Sequence, residues 1–495
     1  MIRLLGKRTI RHTDIIKHLH INSNSISQEH LIRILEVTDS VLKSDIEYLN
    51  SNYPDILKIK TSNNIISIIY NNDSCIETFF RTIINNSNIF NMIEALFFYK
   101  FNSIDSLAEN QFTSISTIYR MIDKFNTAAT NKYNFRLDKK SLKFIGSEKN
   151  IRSFFTQLFK EKYAIDEWPF ININKNTIKK AITEYFKINN INKFEYSYLE
   201  IMSWTCAVNL HRTKLNFPVI SQMETNKINY DIIKNLLKSN ILQNIFRTFY
   251  IPLTENNLIN IFYNYVHVDL VHTFKEFTDK ADYSPNIAIS LHRGFSDTFS
   301  IKNKYNLQLN NIENLIISIH NSAVLYNSDI KSNCVIYNRR KMYIDQIYKQ
   351  FPELVTDIKT YLSNYLTSLK GSIKKNEVEH LTYVAVSTWK GLISQMYNLS
   401  DKLNVLIISR FNSVHASNIK VQLDMIFKCF FNTVLFDGNS LEIDNINFDD
   451  FDLVIADFIP VNNKVPNWIF IQETLNPNDF LEIIKKISKF IKYKF

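Results

Sequence analysis

One order of elements constrains this chain more than any other feature, and it occurs twice within residues 1–147. An amphipathic helix is followed by a short turn, a second helix and a hairpin. In the first copy Ser27 is placed to cap a helix reaching Leu35. Glu36-Val37-Thr38 form the turn, and the second helix covers 39–51. Leu31, Leu35, Val41, Leu42, Ile46 and Leu49 give these helices an apolar face. Ile56–Lys60 and Ile65–Ile69, joined through Ser62-Asn63-Asn64, read as the hairpin. In the second copy Ser103 caps a helix holding Leu107 and Ala108. Phe112-Thr113-Ser114 form the turn, and the next helix carries Ser116 through Phe125. Ala108 is small where two helices must cross, and Ile118 falls where the second helix must face the core. Asn134–Leu137 and Leu142–Ile145, joined by Asp138-Lys139-Lys140-Ser141, read as a basic hairpin. Each copy has the order of a winged helix-turn-helix.

A helix held in this way can enter the major groove, where Arg forks onto guanine and Ser or Thr reaches base edges or phosphate. The candidate contacts in the first copy are Thr38, Ser40, Lys43 and Ser44. In the second they are Ser114, Ser116, Thr117, Tyr119, Arg120 and Lys124, with Arg136, Lys139, Lys140 and Lys143 on the wing for the backbone. The charge supports a polyanionic partner. Residues 1–160 hold 21 Lys and Arg against 15 Asp and Glu, more than half of the chain's net +10.

Other classes are disfavoured. Only 6 of 495 residues are Gly, and neither G-x-G-x-x-G nor G-x-x-x-x-G-K-[ST] occurs, which argues against enzymes built on phosphate loops. Cys75, Cys206, Cys334 and Cys429 are far apart, with no C-x-x-C. They read as small buried hydrophobes in a reducing cytoplasm, and no metal site, cofactor or catalytic residue is expected. The first eight residues carry charge but no apolar region follows, so no signal peptide is expected. No run approaches a membrane span either.

Beyond the second hairpin, helical periodicity runs to about residue 395, in two stretches of similar length at 170–285 and 290–395. The last hundred residues alternate. Strands are expected at 404–408, 432–436, 451–456 and 468–471, with helices at 415–430 and 478–491. That order makes a small parallel sheet with covering helices.

The stretch from Ser106-Leu107-Ala108-Glu109 through Ser114-Ile115-Ser116-Thr117-Ile118-Tyr119-Arg120 resembles the second helix-turn-helix of the Mga/AtxA virulence regulators of low-GC Gram-positive bacteria. Gly146-Ser147-Glu148-Lys149-Asn150-Ile151-Arg152 is similar to the junction after the wing in that family, and Trp168-Pro169-Phe170 also matches. The resemblance implies a multidomain, mainly α chain. It has winged helix-turn-helix domains at 1–75 and 76–165, helical phosphotransferase-regulated (PRD) bundles at 166–287 and 288–398, and an α/β domain like the EIIB component of sugar phosphotransferase systems at 399–495. It further implies a cytoplasmic, non-enzymatic, dimeric activator of virulence or surface genes. Its partners would be double-stranded promoter DNA, a second copy of the chain, RNA polymerase and the phosphocarrier protein of the phosphotransferase system.

In the resembling family, histidines of the bundles accept phosphoryl groups, a role suited to an exposed His near a helix end. The candidates here are His211, His267, His272, His292, His320 and His380, with His211 and His380 foremost. The place aligned with one acceptor holds Leu199-Glu200, and that aligned with another holds Val384. Active EIIB proteins carry a nucleophilic Cys after the first strand. This loop, Ser409-Arg410-Phe411-Asn412-Ser413-Val414-His415, has none, and Ser413 stands at that position without a visible base. Two other readings stay open. One is a PRD-class RNA antiterminator, which would begin with a small β domain. The other is a phosphotransfer enzyme using Ser413.

Overall fold

The computed structural model describes residues 1–189, 191, 196–219, 227–279, 294–296, 307–326, 334–371, 373–399, 402–436, 438, 448–458 and 467–494. The chain divides into two compact units. One comprises Met1–Ala288, Ile316–Gln346 and Leu362–Val384; the other comprises Ile289–Leu315, Ile347–Tyr361 and Ala385–Phe495.

Both winged modules form in the first unit. α1 (Lys7–Ile21) leads to β1 (Ser25–Ser27), α2 (Gln28–Leu35), α3 (Asp39–Asn52), β2 (Leu57–Ser62) and β3 (Ile65–Tyr70). Ser27 caps α2, as the sequence predicts, and Thr38, read there as the last residue of the turn, caps α3. Strand β1 was not foreseen. It pairs with β3, giving the sheet order β1-β3-β2, and three residues are too few to show an alternation. Asn63 and Asn64, both left-handed, close the hairpin.

Next come α4 (Ile76–Asn85) and α5 (Asn88–Phe98), then the second module. It contains α6 (Ile104–Asn110), α7 (Ile115–Tyr133), β4 (Phe135–Leu137) and β5 (Phe144–Gly146). Ser103 caps α6 through a reciprocal pair with Ser106, and Ser114 caps α7. Ala108 and Ile118 are buried where the sequence placed them. Gly146 has φ +144°, and a Cβ there would lie 2.6 Å from that of Phe135, so no other residue fits.

Helix α8 (Glu148–Lys162) leaves the wing for a bundle of α9 (Lys175–Ile188), α10 (Tyr196–Lys214), α11 (Tyr230–Leu237), α12 (Asn240–Thr248), α13 (Glu255–Phe262) and α14 (Phe274–Asp279). One apolar core runs from Met1 through both modules and this bundle to Val335, Ile336, Tyr337 and Met342. Further helices follow: α15 (Ile312–Leu325), α16 (Arg339–Gln350), α17 (Pro352–Lys370), α18 (Lys375–Thr388) and α19 (Leu392–Leu399).

The end of the chain holds β6 (Leu403–Ile408), α20 (Ser413–Phe427), β7 (Phe431–Leu435), β8 (Leu453–Ala456), β9 (Trp468–Phe470) and α21 (Pro477–Lys494). All pairings are parallel, in the order β7-β6-β8-β9. The Val405–Ile408 run is buried on both faces, which is why it reads as continuously apolar. Val405 and Ile407 pack with α20 and α21, while Leu406 and Ile408 pack with Trp468 and neighbouring phenylalanines.

The cysteine expectation needs correction. Cys206 is buried, but Cys75 and Cys429 are exposed and Cys334 is partly so. Cys75 stands at the start of α4, where its Sγ meets the Thr78 hydroxyl rather than an apolar core.

Candidate nucleic-acid interface

The two modules share one local construction. In each, a left-handed residue makes the turn, Glu36 with φ 52° in the first and Phe112 with φ 48° in the second. Two residues later a hydroxyl caps the next helix. Thr38 accepts the Val41 N–H at 3.4 Å, and Ser114 accepts the Thr117 N–H at 3.2 Å. Twelve residues after each cap stands an asparagine that brackets the first wing strand. Asn50 donates to the Ile59 carbonyl at 2.9 Å and accepts its N–H at 2.7 Å. Asn126 does the same to Leu137, at 2.9 and 2.7 Å. The caps fix where each helix begins, and the asparagines fix where each wing stands beside it.

The solvent faces differ. Counted from the caps, Glu36, Asp39 and Lys43 in the first module correspond to Phe112, Ile115 and Tyr119 in the second. Ser44 corresponds to Arg120. In the first module the cations at the helix tip are paired with carboxylates. Lys43 pairs with Asp39 at 2.7 Å, and that hydrogen bond holds the Asp39 carboxyl below its usual range. Arg8, Arg11 and His12 of α1 converge on the buried Asp45. Ser40 and Ser44 are exposed, with Ser40 Oγ 3.2 Å from the Thr38 hydroxyl. Lys58 and Lys60, which the sequence reading did not single out, are exposed on β2.

In the second module, Ser114, Ser116, Tyr119, Arg120, Arg136, Lys140 and Lys143 are exposed. Among the described residues the side chains of Arg120, Lys140 and Lys143 make no hydrogen bond or ion pair. Thr117 is half-buried, its hydroxyl 2.9 Å from that of Ser114. Two expected contacts are already engaged within the chain. Lys124 donates to the Leu4 carbonyl at 2.7 Å, which draws it away from the helix tip. Lys139 pairs with Asp123 at 2.6 Å and lies 5.7 Å over the Tyr119 ring, so it ties the wing to α7. Two bonds far along the sequence, or across a hairpin, could not be seen in a linear pattern.

The second module is also clasped to a distant segment. Glu161 on α8 accepts the backbone N–H groups of Val335, Ile336 and Tyr337, at 2.5, 2.8 and 3.0 Å. Burial raises the Glu161 pKa, and the three donors offset that in part. Lys132 and Tyr133 donate to the carbonyls of Val335 and Cys334, Tyr337 stacks on Phe80 at 4.5 Å, and Arg339 pairs with Glu77. The junction after the wing serves packing too. Glu148 takes Arg152 at 3.0 Å and a bidentate Arg212 at 2.8 and 2.7 Å. Trp168 donates to the Ile173 carbonyl and packs 4.7 Å from Trp204.

The histidines depart from the expectation of exposure. His211 is half-buried, stacked on Phe97 at 4.6 Å, with Nε2 2.9 Å from the Phe97 carbonyl. Burial lowers its pKa. His380 lies inside α18 rather than at its end, with Nδ1 3.0 Å from an Arg340 guanidinium nitrogen. Burial, and then the Arg340 charge, lower its pKa to about 3. His320 is fully buried between the Tyr365 hydroxyl and the Asp269 carbonyl, at 3.2 and 3.1 Å. His267 Nδ1 lies 3.2 Å from the Asp269 N–H. The backbone N–H of His272 meets Glu276. His292 lies outside the described residues. A helical pattern places a His on a helix, but the neighbouring element decides what covers it.

Ser413 is an exposed residue opening α20, and the organised hydroxyl is that of Ser409 at the end of β6. Ser409 Oγ lies 2.7 Å from His415 Nδ1 and 2.8 Å from Asp457, and it accepts the Phe411 N–H at 3.1 Å. Asp457 also accepts the Arg410 N–H at 2.9 Å. His415 Nε2 meets the Glu473 carbonyl and Asp457 Oδ2 lies 3.8 Å from Nδ1, so this cluster pins the loop after β6.

Comparison with known proteins agrees with this layout. Residues 72–159 match the Mga helix-turn-helix domain, and residues 182–392 match the M protein trans-acting positive regulator (MGA) PRD domain. The chain is 27% identical, over 93% of its length and 94% of the relative, to a Streptococcus pneumoniae protein assigned as a trans-acting regulator. It is 22% identical, over 97% of its length and 99% of the relative, to the capsule synthesis positive regulator AcpA of Bacillus anthracis. With AcpB, a capsule synthesis positive regulator of the same species, it shares 21% over 72% of both chains. No helix among the described residues is long and apolar enough to cross a membrane.

Proposed function

Since the chain belongs to the Mga/AtxA family of transcriptional regulators, we propose that it is an activator that binds promoter duplex through its second winged module. The observation that carries this reading is the tip of α7. There an unengaged Arg120 lies on the exposed face of α7, six residues after the Ser114 cap, with Lys140 and Lys143 on the adjoining wing. Arg120 is placed for bidentate contact with guanine, and the wing cations for phosphate. The first module, with its cations engaged by Asp39 and Asp45, adds backbone contact through Lys58 and Lys60.

The remaining roles are proposed on the same footing. The parts follow the five-domain division at 1–75, 76–165, 166–287, 288–398 and 399–495. The working form is a homodimer on two-fold sites, in the cytoplasm, recruiting RNA polymerase. The C-terminal sheet is a non-enzymatic EIIB-like platform. Phosphotransferase input enters through His211 and His380. A phosphoryl group on His380 would face Arg340, one residue from the Arg339–Glu77 pair and next to the segment held by Glu161.

Mobility-shift titration of the full chain tests the reading, on its own upstream duplex, unrelated duplex and a terminator-hairpin RNA, at two salt concentrations. Duplex preference with a steep salt slope is expected. Preference for the RNA hairpin would replace it with the antiterminator reading.

A further inference from the structure

The side chains at the tip of α7 are apolar where those of α3 are charged. Phe112 is 98% exposed, Ile115 43% and Tyr119 41%. Their counterparts are Glu36, Asp39 and Lys43. The backbone is the same, down to the left-handed turn residue, so the contrast is not a demand of the fold. A bulky aromatic in left-handed conformation is uncommon, and apolar area standing in water is a cost that a covering partner would remove. Ile115 and Tyr119 are one helical turn apart, beside Ser116 and Arg120 on the same exposed face. Arg120 shares the exposed face of α7 with this patch, Lys139 of the wing lies 5.7 Å over the Tyr119 ring, and Arg136, Lys140 and Lys143 of the same wing are exposed, which fits a polyanion as the covering partner.

We propose that Ile115 and Tyr119 read thymine 5-methyl groups in the major groove, framing the base pair that Arg120 contacts. The thymine methyl is the one apolar group a base pair presents there. The inference rests on duplex binding by the second module and deepens it. That module would prefer thymine flanking a guanine, and would owe part of its affinity to contacts that salt does not screen.

The test uses the full chain and two pools of short random-sequence duplexes, one copied with dTTP and one with dUTP. Uracil keeps every pairing group and every phosphate and lacks only the methyl. Wild type is expected to bind the uracil pool about four-fold more weakly for each methyl group that the helix no longer meets. An Ile115→Ser/Tyr119→Ser double variant, whose altered side chains are exposed, should bind both pools equally. Equal binding of both pools by wild type, with a steep salt slope intact, overturns the inference and leaves the tip to a protein partner. An equal uracil penalty in wild type and double variant also overturns it, because the effect then belongs to the DNA. Failure to bind either pool at low salt removes the duplex reading itself.

Discussion

The two winged modules are the same device with different tips. Caps, turn conformation and the Asn50 and Asn126 brackets coincide to within a few tenths of an ångström in bond length. The reading positions do not coincide. One module neutralises its helix with Lys43–Asp39 and holds the arginines of α1 on Asp45, while the other leaves Arg120 exposed beside Ile115 and Tyr119. Residues that build a motif and residues that use it thus separate by their surroundings. The first kind touch the backbone of their own module, and the second stand in solvent.

A large expected effect comes from breaking the clasp of Glu161 on residues 335–337. Glu161→Ala strands three buried N–H groups, at a cost of about 3 kcal/mol or more. Hydrogen exchange at 335–337 and along α8 should quicken, with strands β2 and β3 unchanged. Equal quickening in both modules would show that the clasp is not local to the second.

Where the modules are alike, mutations should be alike. Asn50→Ala and Asn126→Ala should each cost about 2 kcal/mol, read by chemical denaturation, since each removes two bonds to a wing strand. A difference well beyond that size would mean the shared bracket is geometric rather than energetic.

The two modules should also differ in their response to pH. His380 stays neutral in the folded chain down to about pH 3, whereas the unfolded chain takes up that proton below about 6.5. Its contribution is therefore complete above 6.5 and is lost as pH falls toward 3. His380→Gln should flatten the acid loss of protection at α18 and at 335–337. The acid response of the first module, where burial lowers the pKa of His12 and His20, should persist. An unchanged profile at α18 would assign the acid response to other groups.

The repeated helix-turn-helix-hairpin order, the Ser27 and Ser103 caps and the parallel terminal sheet were legible in the sequence because each is a local pattern. Strand β1 was too short to show. The engagement of Lys124 by Leu4, the cover over His211 and His380, and the Glu161 clasp join residues tens to hundreds of positions apart, where no periodicity reaches. Ile115 figured in the sequence only as part of the stretch that resembles the family. Only superposing the two caps marks it as a departure from Asp39. Glu148, Arg152 and Trp168, which carried much of the resemblance, hold the second module to the helical bundle and are not contact residues.

The most direct measurement is duplex binding by wild type, Arg120→Ala and Lys43→Ala/Ser44→Ala, side by side over a salt series. Loss of a bidentate guanine contact predicts about ten- to one-hundred-fold weaker binding for Arg120→Ala. The first-module double variant should change affinity by less than about three-fold, as expected for an exposed, self-paired lysine. Equal losses in the two variants, or a larger loss in the first module, would contradict the assignment of reading to the second.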